Sequence, residues 1–233
     1  MTELLAEGRA HPETIEYLLQ FLGDAARSVT ALAGHDYFAA ALPDLADAVA
    51  AAYPVVLPLL EFLPADHAAS RATHLVAIAK MAPLADERGN LAVLVADLAT
   101  RAPGPRETWV YCLGELGVSV RGLLTDPEPA VRLRAALIHE DDPRSQELIR
   151  AALAEPPPPG LYRGDLVAAA IRTASDFAAI VAEACGLVRK DSWTGFDSGW
   201  GALVSFAFPE RYSQRHPLTD AQRALLRAWG LRL

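Results

Sequence analysis

The stretch LTDPEPAVRLRAAL, Leu124–Leu137, decides the fold class. An acidic turn, stiffened by Pro127 and Pro129, runs straight into an alanine-rich segment. At 3.6 residues per turn, Val131, Ala135 and Ile138 fall at i, i+4 and i+7, one apolar stripe of a helix. Arg132 lies beside that stripe. Its guanidinium is within reach of a turn carboxylate, either Asp126 or its counterpart in an adjoining unit, by a charge-assisted bond. Ala135 and Ala136 are small enough to let a second helix approach closely. Helix, acidic turn and helix together read as one unit of a stacked array.

Composition agrees with this unit being typical of the chain. Of the 233 residues, 52% are apolar, 21% charged and only 7% aromatic, which is globular and far from disordered. Alanine is about a fifth of the sequence, and long alternating runs of Val, Ile and Thr are missing, so helix is favoured over sheet. The expected class is all-α.

The helices can be followed by their punctuation. Pro12 suits a first helical turn, and Ile15, Leu18, Leu19 and Leu22 carry a helix to about Leu32, ended by Gly34. Asp36 is the cap expected for a helix reaching Tyr53, and Pro54 is expected to open a short one over Val55–Phe62. Pro64 stops it, and Asp66 caps a helix to Met81. Asp86 opens another with Leu91, Leu94, Val95 and Leu98. Glu107–Leu116 ends at Gly117; Pro127–His139 and Gln146–Leu153 follow across the turn EDDPRS, Glu140–Ser145. Leu166–Thr173, Phe177–Val188 and Thr219–Trp229 complete the set.

PPPPG, Pro156–Gly160, cannot be helix interior and reads as a stiff loop inside one array. The whole chain, 1–233, is expected to form a single α-solenoid domain. Residues 34–155 are the most repeat-like core, 156–160 the proline loop, and 191–233, richer in Gly and aromatics, an atypical C-terminal cap.

A helix, an Asp-Pro turn, Val-Arg five and six residues after the Asp, and then a small-residue pair resembles a HEAT repeat. LGELGVSVRGLLTDPEPAVRLRAALIHEDDPRSQELIRAAL, Leu113–Leu153, is similar to the HEAT-like (armadillo-type) repeat proteins common in actinobacteria, and PLTDAQRALLRAW, Pro217–Trp229, resembles the ending of many of them. Asp126 and Arg132 match that family's turn Asp and ladder Arg; Val131 and Ala135 match its apolar positions. A second unit, Val56–Ala82, keeps the turn Asp66 but places Arg71 one residue early, with Ala72 at the ladder position. The resemblance implies a right-handed α-α superhelix of about five or six helix pairs.

Charge and motifs then limit the function. A net charge of −8 weighs against nucleic acid, whose phosphates demand a Lys/Arg surface. The longest apolar run, Ala48–Leu60, is too short to span a bilayer and contains Pro54 and Pro58. The opening MTELLAEGRAHPE lacks the basic and apolar regions of a signal peptide, so a soluble cytoplasmic protein is expected. Cys112 and Cys185 are distant from each other and read as free thiols. His67 and His74 stand two helical turns apart, about 10 Å, too far to share a metal. His139–Asp142 reads as a C-cap followed by an N-cap, and no His-Glu-x-x-His or Gly-x-Ser-x-Gly pattern occurs. GFDSGWG, Gly195–Gly201, lacks a phosphate-loop pattern and positions Trp193 and Trp200, as packing or as a partner-binding aromatic patch.

No catalytic, cofactor or metal residue is assigned. The expectation is a non-enzymatic scaffold or adaptor that binds a protein or peptide along the concave face lined by Ala69–Lys80 and Pro129–His139. Arg71, His74, Arg134 and His139 are its candidate exposed contacts, with Trp193 and Trp200. One alternative is an immunity protein neutralising a basic toxin, since complementary charge speeds capture. A second is a HEAT-like enzyme such as a DNA glycosylase, which would need a basic concave face.

Overall fold

The computed structural model describes residues 11–34, 37, 40–62, 67–101, 104–190, 199–209 and 217–231. Among them every regular element is helical and no strand occurs: the protein is all-α. None of the described helices is long and apolar enough to cross a membrane. The chain divides into two compact units, Met1–Ser119 and Val120–Leu233. The division falls inside the repeat-like 34–155 stretch, and the four prolines lie within the second unit.

In the first unit, α1 is Pro12–Leu32, α2 Leu42–Val56, α3 Leu59–Phe62, α4 Ala68–Ala79, α5 Arg88–Arg101 and α6 Arg106–Glu115. A 3-10 turn, Ala82–Glu87, links α4 to α5. α4 is the central element and packs against α1, α2, α5 and α6. Its sequence explains this position. Ala68, Ala69, Ala72 and Ala79 are all buried and present almost no side chain, so neighbouring helices come close. Leu75, Val76 and Ile78 are also buried and fill the remaining volume. The carbonyls left over at its C-terminal end are taken by Arg88, whose Nε donates to Ala79 O (3.0 Å) and Nη2 to Lys80 O (2.6 Å).

One helix boundary differs from expectation for a local reason, and another falls where it was expected. α2 runs through Pro54 to Val56, because Leu57 N–H still reaches Tyr53 O at 2.9 Å and completes the turn. The break comes instead at Pro58, which has no N–H to continue the ladder. α6 ends where Gly117 predicts, in a paired motif: Gly117 N–H reaches Gly114 O and Val118 N–H reaches Leu113 O, both at 2.9 Å. Gly117 has φ +82°, a conformation that L side chains disfavour. Asp36, Pro64 and Asp66 lie outside the described residues.

The second unit holds α7 Pro129–Ile138, α8 Pro143–Leu153, α9 Arg163–Thr173, α10 Val181–Lys190, α11 Trp200–Ala207 and α12 Asp220–Ala228. Short 3-10 turns precede α7 (Arg121–Thr125) and α10 (Phe177–Ile180). α7 packs on α8 and α8 on α9. Each helix also packs on the one after next: α7 on α9, α8 on α10, α9 on α11 and α10 on α12. α12 opens with a reciprocal cap, Thr219 Oγ1 accepting from Gln222 N–H while Gln222 Oε1 accepts from Thr219 N–H.

The turn that opened the sequence reading does its work through the backbone. Asp126 Oδ1 accepts from Glu128 N–H (3.0 Å), and the Arg132 guanidinium donates to the carbonyls of Asp126 (2.6 Å) and Pro127 (2.8 Å). Asp126 and Arg132 thus clamp the entry to α7 within one unit. The next turn is equally tied. Asp142 caps α8 by accepting from Arg144 N–H, Arg121 donates to Asp141 and Asp142, and Arg172 forms a two-pronged pair with Glu140.

Candidate functional site

The candidate site is a cleft between α1 and α4. α1 is amphipathic: Ile15, Leu19, Leu22 and Ala26, at i, i+4, i+7 and i+11, are buried on its inner face. It approaches α4 closely at Gly23. A Cβ there would stand 2.6 Å from His74 Nδ1 and 2.9 Å from the His74 Cα, so only a residue without a side chain fits. Toward the N-terminal ends of both helices the gap opens into a cleft of about 360 Å³. α1 contributes Glu13, Glu16, Tyr17 and Gln20 to its walls; the other side is His67, Ser70, Arg71 and His74.

Glu16 is the hub. Its Oε1 accepts from Arg71 Nη1 at 3.3 Å and its Oε2 from His67 Nδ1 at 3.1 Å. Arg71 is 1% exposed, and burial pushes its guanidinium below the ordinary arginine value while Glu16 opposes that shift. Deeper in, Arg27 Nη2 donates to His74 Nδ1 (3.1 Å) and to Asp24 Oδ1 (2.7 Å). Nδ1 of His74 is therefore an acceptor, and the ring proton sits on Nε2. Burial, then Arg27, lowers the His74 pKa from its ordinary 6.5.

That shift has a definite sign. The folded state favours neutral His74, so its contribution to stability is complete above pH 6.5 and is lost as pH falls below it. Urea midpoints measured from pH 7.5 down to about 5, above the range where carboxylates titrate, are expected to fall. The fall should be shallower in His74→Asn.

At the mouth of the cleft and beyond it the same helix exposes aromatic surface. Tyr17 is 72% and Phe21 59% exposed, one turn apart on the face opposite the core. The charge is also unevenly divided. Residues 1–119 carry 15 Asp and Glu against 7 Lys and Arg, a net of −8; residues 120–233 carry 14 of each, a net of zero. The entire net charge of the chain thus belongs to the unit that holds this cleft.

The sequence-predicted contacts are distributed differently from expectation. Arg71 and His74 line one cleft, but Arg71 is not an exposed contact. α4 is surrounded by four helices, and the face assigned to solvent is covered by α1. Arg134 and His139 belong to the second unit and bond backbone there: Arg134 Nη2 donates to Gly160 O (2.7 Å), and His139 Nε2 accepts from Val120 N–H (3.1 Å). Trp193 and the side chain of Trp200 lie outside the described residues. Glu16, Gly23, Tyr17 and Phe21 were not singled out from sequence. The aromatic pair was legible as an i, i+4 step off the apolar stripe; the partners of Glu16 lie 51 and 55 residues away and leave no local signal.

The second unit has a cavity of about 540 Å³ beside Phe177 and Phe206, whose rings meet edge to face at 6.3 Å. Of its polar groups, Asp176, Thr219 and Gln222 are engaged in capping or in bonding Ala207 O, and Asp220 is paired with Arg223. Among the described residues Cys112 and Cys185 are not in a disulfide, and Cys112 is buried. Among the described residues no group of His, Cys, Asp and Glu has the arrangement of a metal site. The α1–α4 cleft therefore offers paired charges and aromatic surface, a chemistry suited to recognition. Comparison with known proteins finds no family model, no curated protein and no solved structure that matches this chain.

Proposed function

We propose that the chain is a non-enzymatic protein-interaction module, a scaffold or adaptor of HEAT-like architecture, that engages its partner through α1 and the cleft beside it. One observation carries the reading: a helix that buries Ile15, Leu19, Leu22 and Ala26 turns Tyr17 and Phe21 outward to solvent. Exposed aromatic side chains are the commonest anchors of protein interfaces, because they bury large area at low entropic cost. The architecture is supported by the neighbour packing of the second unit, where each helix from α7 to α10 touches the helix after next, as stacked helix pairs do. The innermost titratable groups of the cleft hold one another, Glu16 with Arg71 and His67, His74 with Arg27, which favours a binding surface over proton-transfer chemistry. A net charge of −8 favours one particular form of the module, an immunity protein that neutralises a basic toxin.

Affinity capture of the tagged chain from lysate of its own host, eluted with a salt gradient and read by mass spectrometry, tests the reading. The expected result is one stoichiometric protein, lost when Tyr17 and Phe21 are both replaced by Ala. Retention of the same protein by that variant would move the interface elsewhere, and empty beads would contradict a dedicated partner.

A further inference from the structure

The partner's chemistry follows from the charge partition, and the inference rests on the interaction-module reading. We infer that the outer face of α1 docks an Arg- or Lys-bearing segment of a partner protein, its cations seated over Tyr17 and Phe21 and facing Glu13 and the cleft. Charge, aromatic exposure and the shape of the cleft converge on that chemistry. The first unit carries the whole net charge of −8, so its field draws cations and repels acidic segments before contact. Tyr17 and Phe21 are exposed one turn apart, and the π-face of an exposed aromatic ring attracts a guanidinium or ammonium group. Glu13 lies one turn before Tyr17, so a carboxylate flanks the N-terminal end of the aromatic pair. The buried cation of the cleft, Arg71, is held by Glu16, and the cleft beyond it offers about 360 Å³ to a side chain entering past Tyr17.

The test uses the full chain and two labelled short peptides, one alternating Arg and Ser, the other Glu and Ser, followed by fluorescence anisotropy. The Arg peptide is expected to bind saturably and to weaken as salt rises; the Glu peptide is expected not to bind. Replacing Tyr17 and Phe21 together by Ala leaves the charge unchanged and should weaken the Arg peptide by about tenfold, the sum of two exposed cation–π contacts. Circular dichroism of that variant is expected to match the parent, because both side chains are exposed. Asp44→Asn with Asp47→Asn, exposed on α2, removes charge from a different helix and should change affinity much less. Equal binding of the Arg peptide by the parent and the aromatic variant, with loss in the α2 variant, would overturn the docking surface in favour of diffuse charge. Absence of Arg-peptide binding, alongside a captured protein that the aromatic variant loses, would overturn the basic chemistry while leaving the module reading intact.

Discussion

Replacing Arg71 by Ala is expected to destabilise the protein by about 2–4 kcal/mol, through the cavity left by a long buried side chain and the loss of its charge-assisted bonding. Arg71 is the largest of the fully buried side chains, at 1% exposure, in the first turn of the helix that every long helix of the first unit touches. Its bond to Glu16 is 3.3 Å long, and Glu16 remains 29% exposed, so the carboxylate can rehydrate once the guanidinium is gone. The space left in α4 has no such remedy. Arg71→Met fills most of that volume without a charge, and a buried ion pair exchanged for apolar packing is often close to neutral. Arg71→Met is therefore expected to lose less than half as much as Arg71→Ala, with urea unfolding as the measurement. Equal losses in the two variants would place the stabilisation in the charge rather than in the packing.

Gly23→Ala is expected to be destabilising by about 1–3 kcal/mol, although alanine is the better helix former by roughly 1 kcal/mol. The added Cβ meets the Cα of His74 at 2.9 Å, which is backbone and cannot swing aside. α1 and α4 would have to separate, loosening Leu19, Leu22 and Leu75 together. Gly89→Ala is the matched contrast. It lies in the first turn of α5 with nothing within 4 Å of the new carbon, so propensity acts alone and the protein should gain up to about 1 kcal/mol. Opposite signs for the two substitutions, read from thermal or urea melts, are the expected outcome.

These two positions also mark where the sequence could and could not be read. Local signals were reliable. Pro12 opens a helix that ends at Leu32, Gly117 terminates α6, Asp142 caps α8 and Thr219 caps α12, because each acts within a few residues of itself. Pro54 misled, since its missing N–H matters only to one rung and the turn beyond it closes on Tyr53. Arg71 misled for a different reason. AASRATHLVAIA has the composition of a half-exposed helix, and nothing in it records that four helices surround it. The same non-locality hid Glu16, whose partners His67 and Arg71 belong to another part of the chain. Gly23 is one of several helical glycines in the sequence, and its role depends on His74 standing opposite. The turn at Asp126 was recognised as a unit boundary, yet its Arg132 bonds backbone carbonyls of its own turn, a choice that only the folded geometry makes.

The proposed interaction places the outer face of α1 against the partner. A photo-reactive phenylalanine analogue placed at position 17, irradiated in cells of the host, tests that contact directly, with position 93 as control, where Val93 is 74% exposed on α5. One discrete cross-linked protein from position 17, and none from position 93, is the predicted result. No cross-link at position 17, or the same products from both positions, would contradict it.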